Sequence, residues 1–131
     1  MTTTENNTKL SEAKLWQLVN KAQWEGRHDL DFAQSVYTKL PFNHFQQLWK
    51  FVEAKLDELD DKFGKKITNV GDDSWWDLRA EVVGRGKSFY HKINMNIIQS
   101  MADDVDYVEN YQYSFQKHKD FDKVNIINQN K

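Results

Sequence analysis

The residues with the strongest claim to chemistry lie in one run, Asp72-Asp73-Ser74-Trp75-Trp76-Asp77-Leu78-Arg79-Ala80-Glu81. Asp72, Asp73 and Asp77 put three carboxylates at the start of a helix, and hard oxygen ligands of this kind can hold a magnesium ion. The same residue types also begin helices. Asp72 or Asp73 can cap the first turn, where negative charge meets the positive end of the helix dipole. Asp77 and Glu81 then pair with Arg79 or with a neighbouring helix. A magnesium site needs bound phosphate or further ligands, and no second acidic cluster is tied to this one by sequence. The structural reading is therefore preferred, and no metal or other cofactor is expected. A second acidic group, Asp103, Asp104 and Asp106, lacks the glycine and the closing glutamate of a calcium-binding loop. Helix capping is its default role, although both groups also present acid to a basic partner.

Other candidates are weaker. Gly84-Arg85-Gly86-Lys87 follows a helix and lacks the spacing of a phosphate-binding loop, so it reads as a helix interruption. The glycines imply a kink or close backbone packing. The four histidines, His28, His44, His91 and His118, are scattered with no i, i+4 pair, and no serine sits in a nucleophile elbow. Trp75 and Trp76 point about 100° apart on a helix, so they cannot easily share one core face. Packing of both in the core is the reading adopted. The alternative is an exposed ring beside acid, which makes a binding hot spot. Trp75 and Trp76 thus join Asp72, Asp73, Asp77, Asp103, Asp104 and Asp106 as candidates for a protein interface. Arg79, Gly84, Gly86 and Tyr90 are assigned structural roles.

The chain that must position these groups has 131 residues, which suits one domain with its own core. It has no cysteine, which excludes disulfides, thiol catalysis and thiolate zinc sites. Eighteen basic and 20 acidic residues leave a net charge of −2, far from a nucleic-acid footprint and from the acidity of a DNA mimic. Five Trp, five Tyr and eight Phe are more rings than so small a core readily hides. No apolar run suits a membrane span, and the polar stretch 1–8 has no signal-peptide core, so a cytoplasmic location is expected.

Helical spacing dominates, and the expected fold is all-α: a compact bundle of about five or six helices. Helices are predicted over 11–24, with Ser11 as N-cap, and 29–40, with Asp29 as N-cap. Pro41 breaks the pattern. A third helix from Asn43 carries the clearest stripe, Phe45, Leu48, Trp49, Val52, Leu56, Leu59 and Phe63, with an Asn43/Gln46 capping box. Its far end bears a charge run, 57–62, and Gly64 stops it. A loop or short extended piece, through Ile67 and Val70, covers 65–71. A helix follows after Asp72-Asp73-Ser74, from Trp75 to Tyr90, and others over 95–101 and 104–117, the last capped by Asp103 or Asp104. The single domain is placed at 11–117, between a flexible 1–10 and a tail, 118–131, that carries Phe121, Val124, Ile126 and Ile127.

Three stretches carry a family resemblance. Leu15-Trp16-Gln17-Leu18-Val19-Asn20-Lys21-Ala22 is similar to an opening helix of the form FWxLIxxA. A helix, Pro41 and a long amphipathic helix follow it. The run from Asp72 to Tyr90 is similar to DDxFxxFRxWLIxxGxxxY. Together they make the chain, over 11–115, resemble the bacterial domain-of-unknown-function family 4240. It departs from the family where Asn69-Val70-Gly71 replaces a longer segment and where Leu78 stands at a usual aromatic. The resemblance implies an α-helical fold and supplies no catalytic residue. The expected function is a non-enzymatic protein-interaction domain, most concretely an immunity-type protein that neutralises a bacterial toxin or binds another basic protein. The alternative is a small enzyme or metal-dependent hydrolase using the Asp/Arg cluster at 72–81. Nucleic-acid binding is disfavoured by the charge.

Overall fold

The computed structural model describes residues 9–108 and 111–122. Its helices are α1 (Glu12–Lys21), a single turn α2 (Trp24–Arg27), α3 (Leu30–Tyr37), α4 (Phe42–Leu59), α5 (Asp72–Gly84), α6 (Lys87–Lys92) and α7 (Met95–Asp104). A π-helical turn, Asp60–Gly64, prolongs α4, and a 3-10 turn, Tyr111–Phe115, follows α7. Among the described residues there is no strand, and the architecture is an all-α bundle.

The long helix α4 buries the stripe its spacing predicts: Phe45, Leu48, Trp49, Val52, Leu56 and Leu59. Helix α5 differs. Every residue from Leu78 to Gly84 is buried, polar ones included, so its C-terminal half runs through the middle of the molecule. Rings join the sequence-distant parts. Tyr37 stacks on Phe115 at 4.4 Å, its hydroxyl lies 2.8 Å from that of Tyr111, and Tyr111 meets the edge of Trp24 at 5.5 Å.

Several boundaries differ from the sequence reading, each for a local reason. Helix α1 ends at Lys21 because Gln23 turns left-handed (φ 51°). Gly26 (φ 85°) and His28 (φ 47°) also lie in that region, which folds Trp24 inward. Ser11 and Asp29 cap α1 and α3 as expected, accepting from Lys14 N at 3.1 Å and Phe32 N at 3.0 Å. The Asn43/Gln46 box does not form: Pro41, extended at ψ 152°, is the N-cap, and α4 begins at Phe42. Over 65–71 no strand forms. There the side chain of Gln99 accepts from Thr68 N at 3.0 Å and donates to Thr68 O at 2.8 Å, replacing a partner strand. The helix expected from Trp75 to Tyr90 begins earlier, at Asp72, and is two helices, parted at Arg85–Gly86 by Gly86 at φ 100°.

No helix spans 104–117. Asp104 is the last residue of α7, Val105 turns left-handed (φ 52°), and Arg85 holds Asp106 through its carbonyl (3.1 Å) and carboxylate (3.0 Å). Asp103 and Asp104 therefore cap nothing; Asn94 caps α7 by accepting from Ile97 N at 2.9 Å. The packed region extends beyond 11–117. Leu10 N donates to Gln47 at 2.7 Å, His118 is buried and stacks on Phe45 at 3.9 Å, and Phe121 packs on Trp49. Residues 1–8, and Val124, Ile126 and Ile127 of the expected tail, lie outside the described residues. No helix among the described residues is long and apolar enough to cross a membrane.

Candidate binding cleft

Trp76 and Arg79 stand three residues apart on α5, so they share a face. The Arg79 guanidinium lies 4.0 Å from the Trp76 ring centroid, a cation–π stack. Its Nη1 donates to Asp60 Oδ2 at 2.6 Å. Asp60 opens the π-helical turn at the end of α4, a kind of turn often found at functional positions, and also accepts from Trp75 Nε1 at 2.8 Å. One carboxylate thus ties the end of α4 to two residues of α5.

A cleft of about 360 Å³ opens beside this tie. Helix α4 supplies Trp49, Glu53, Leu56 and Asp57, four residues that its period places on one side. Gln112, Tyr113 and Gln116 also line it, with Phe121 next to Trp49. Trp76 is 53% exposed and Tyr113 40% exposed, so two rings stand at the mouth. Burial lowers the Arg79 pKa from its ordinary value, and the charges of Asp60, Asp57 and Glu53 act in the opposite direction. Three carboxylates therefore face one guanidinium, and the cleft carries net negative charge. Two of its buried donors, Trp49 Nε1 and Arg79 Nε, have no acceptor among the described residues.

Glu81 forms a different centre. It is fully buried and accepts from Trp24 Nε1 at 2.9 Å, Arg85 Nε at 2.8 Å and Val108 N at 3.4 Å, with His28 Nε2 at 2.7 Å. Burial works against the Arg85 charge, but the bonds to Glu81 and Asp106 outweigh it and raise its pKa. This clasp joins α2, α5 and the stretch after α7.

The carboxylates proposed from sequence do not converge. Asp72 and Asp73 are exposed in the first turn of α5, where Gly71 is the N-cap and no side chain caps. They complement the dipole without a capping bond. Asp77 is half-buried. Arg79 bonds to Asp60 rather than to any acid of its own helix. Trp75 is half-buried and Trp76 exposed, so the expectation that both enter the core fails: the tie to Asp60 holds one ring inward and the stack on Arg79 holds the other outward. Asp103 accepts from Asn69 and Gln99, Asp106 pairs with Arg85, and Asp104 is exposed at the end of α7. Asp104 and Asp106 line a separate depression with Arg85 and Phe89, away from Trp76. No group of three or more histidine, aspartate or glutamate residues among the described residues could hold a metal ion.

The structural assignments are specific. Gly84 lies against Tyr111 and Trp24, and Gly86 provides the left-handed turn. Tyr90 donates to Glu58 at 2.5 Å and to Lys55 O at 3.3 Å. Sequence reasoning missed Asp60, Glu53, Asp57 and Tyr113 as parts of a site, and Glu81, Trp24 and His28 as a buried network. One signal was present: Glu53 and Asp57 follow Trp49 by four and eight residues, so they flank the apolar stripe of α4. No family model, curated protein or solved structure matches the chain.

Proposed function

We propose that this chain is a non-enzymatic interaction protein whose cleft beside Trp76 receives a basic protein partner, most concretely as an immunity-type protein that neutralises a bacterial toxin. The observation that carries this reading is the pairing of the exposed Trp76 and Tyr113 rings with a cleft of net negative charge. Aromatic anchors dominate the energy of tight interfaces, and complementary charge steers the encounter. The dispersal of Asp72, Asp73, Asp77 and Glu81 into unlike surroundings weighs against the hydrolase alternative. Membership of the family that the sequence resembles would add a shared helical fold and no activity, so the reading rests on the cleft.

The test is co-expression with the proteins encoded beside its own gene, followed by affinity purification and mass spectrometry. We expect a basic protein in stoichiometric complex, whose toxicity to the host is relieved by this chain. Trp76→Ala should weaken that complex by about 2 kcal/mol or more, the scale of a hot-spot residue. A chain that purifies alone, and relieves no toxicity among those neighbours, refutes the reading.

A further inference from the structure

The cleft offers ring surface and negative charge more than it offers hydrogen-bonding groups. Trp49, Trp76, Tyr113 and Phe121 line it together. Trp49 and Phe121 meet at 79° with their centroids 5.5 Å apart, so they form a corner. Trp76 and Tyr113 are exposed, which leaves ring surface open at the mouth. One cation already lies on a ring here, since Arg79 stacks on Trp76 at 4.0 Å. Three carboxylates act on Arg79, and two of them are engaged. Asp60 accepts from Arg79 Nη1 and Trp75 Nε1, and Glu53 has an interaction partner. Their charge still acts through space, and with the exposed Asp57 it outweighs the one guanidinium. Rings and negative charge attract a further cation. An ammonium brings three N–H donors and a guanidinium five, and each donor needs an acceptor once it leaves water. A quaternary ammonium brings none, so it needs only the rings and the field. About 360 Å³ holds such a group, at the small end of ligand clefts, which run from about 300 Å³ upward.

We infer that the cleft is an aromatic cage for a quaternary ammonium group, whose methyl groups pack on Trp76, Tyr113 and Phe121 while Asp57 and Glu53 balance its charge. The bonds already made in the cleft stay in place, because a carboxylate attracts a distant cation without giving up its partner. The inference goes beyond the interaction reading, since a quaternary ammonium ligand needs no protein to carry it. A free choline-like molecule and a trimethylated lysine side chain present the same chemistry, and the test separates these sources.

The test titrates the full chain with choline and with N-acetyl-trimethyllysine amide. The controls are N-acetyl-lysine amide and the uncharged isostere of choline, in which carbon replaces the quaternary nitrogen. NMR follows the N-methyl protons of the ligands and the indole N–H of Trp76. We expect saturable binding of choline, with its methyl protons shifted upfield by the ring faces, a weaker response to the lysine amide and none to the isostere. Tighter binding of the trimethyllysine amide than of choline upholds the cage and assigns the group to a protein; the reverse order upholds it and assigns a small molecule. Tyr113→Leu should weaken choline binding about fivefold, the scale of one cation–π contact at an exposed ring, while Tyr113→Phe keeps the ring and the affinity. Asp57→Asn should also weaken it, and circular dichroism checks that all three variants fold. No saturable binding, an equal response to the isostere or to the lysine amide, or a Tyr113→Leu variant that binds as the wild type does overturns the inference. The two readings separate cleanly. Choline binding by a chain without a protein partner supports the cage and removes the interaction reading. A stoichiometric protein partner, with no response to either quaternary ligand, removes the cage and leaves the interaction reading.

Discussion

Glu81 has no exposed surface, yet it carries a formal charge into the middle of the molecule. Burying a carboxylate is tolerable only when its lone pairs are filled, and here Trp24, His28, Arg85 and the amide of Val108 surround it. Removing it leaves the partly buried Arg85 with only Asp106 and strands the indole N–H of Trp24. We therefore expect Glu81→Ala to lower stability by about 3–5 kcal/mol, as for other broken buried pairs, measured by urea unfolding. Glu81→Gln keeps the shape and should fall between that variant and the wild type. The sequence marks Glu81 within the run 72–81 and sets Arg85 four residues on, but it does not mark its burial or its other partners. Trp24 and His28 approach it from 57 and 53 positions away, so spacing along one helix cannot reveal them. Trp76 and Arg79 were legible as residues, but the partner of Arg79 was not, because Asp60 comes from the end of another helix, 19 positions back.

At the scale of elements, the break between α5 and α6 sets the geometry of the core. A Cβ added at Gly84 would lie 2.7 Å from Tyr111 Cγ and 3.0 Å from Trp24 Cδ1. At Gly86 it would collide with the Asn20 side chain, on a backbone that disfavours any L side chain. Gly84→Ala should therefore cost about 1–3 kcal/mol by overpacking, although alanine is the better helix former. Gly71 offers the opposite case. It caps α5 without a side-chain bond, and a Cβ there meets nothing within 4 Å. Gly71→Ser should stabilise the protein by a few tenths of a kcal/mol. A pair of urea titrations distinguishes the two signs. The stripe of α4 was readable because α4 lies on one side of the core, and its six buried apolar residues keep the helical period. Helix α5 hid its role because its C-terminal half, Leu78 to Gly84, is buried all round, so no period reports its orientation. The missing helix over 104–117 turned on Val105, a β-branched residue in a left-handed conformation that sequence propensity opposes.

Across the whole molecule, ionisation limits stability at both ends of the pH scale. Burial raises Tyr37, Tyr90 and Tyr111 above the ordinary tyrosine value of 10.0, aided at Tyr90 by Glu58 and at Tyr37 by Tyr111. The folded state thus holds these protons more tightly than the unfolded chain. Their contribution is complete below pH 10.0 and falls as pH climbs above it. Glu58 is lowered from 4.5, chiefly by the Tyr90 hydroxyl, and Asp29 from 3.8, chiefly by the Phe32 amide. Their contributions are complete above those values and are lost as pH falls below them, and the exposure of both keeps the acid effect small. We expect a urea midpoint that is level between about pH 5 and pH 9 and declines on both sides. Tyr90→Phe should flatten both declines, since it removes a raised phenol and releases Glu58; unchanged limbs would contradict the assignment. The same map of rings bears on how the chain is made. Tyr37 stacks on Phe115, Trp24 meets Tyr111, and Phe45 stacks on His118, so late residues complete the cover of early ones. During synthesis these contacts cannot close until residues 111–118 emerge. Until then the nascent chain exposes apolar surface of the kind that promotes aggregation.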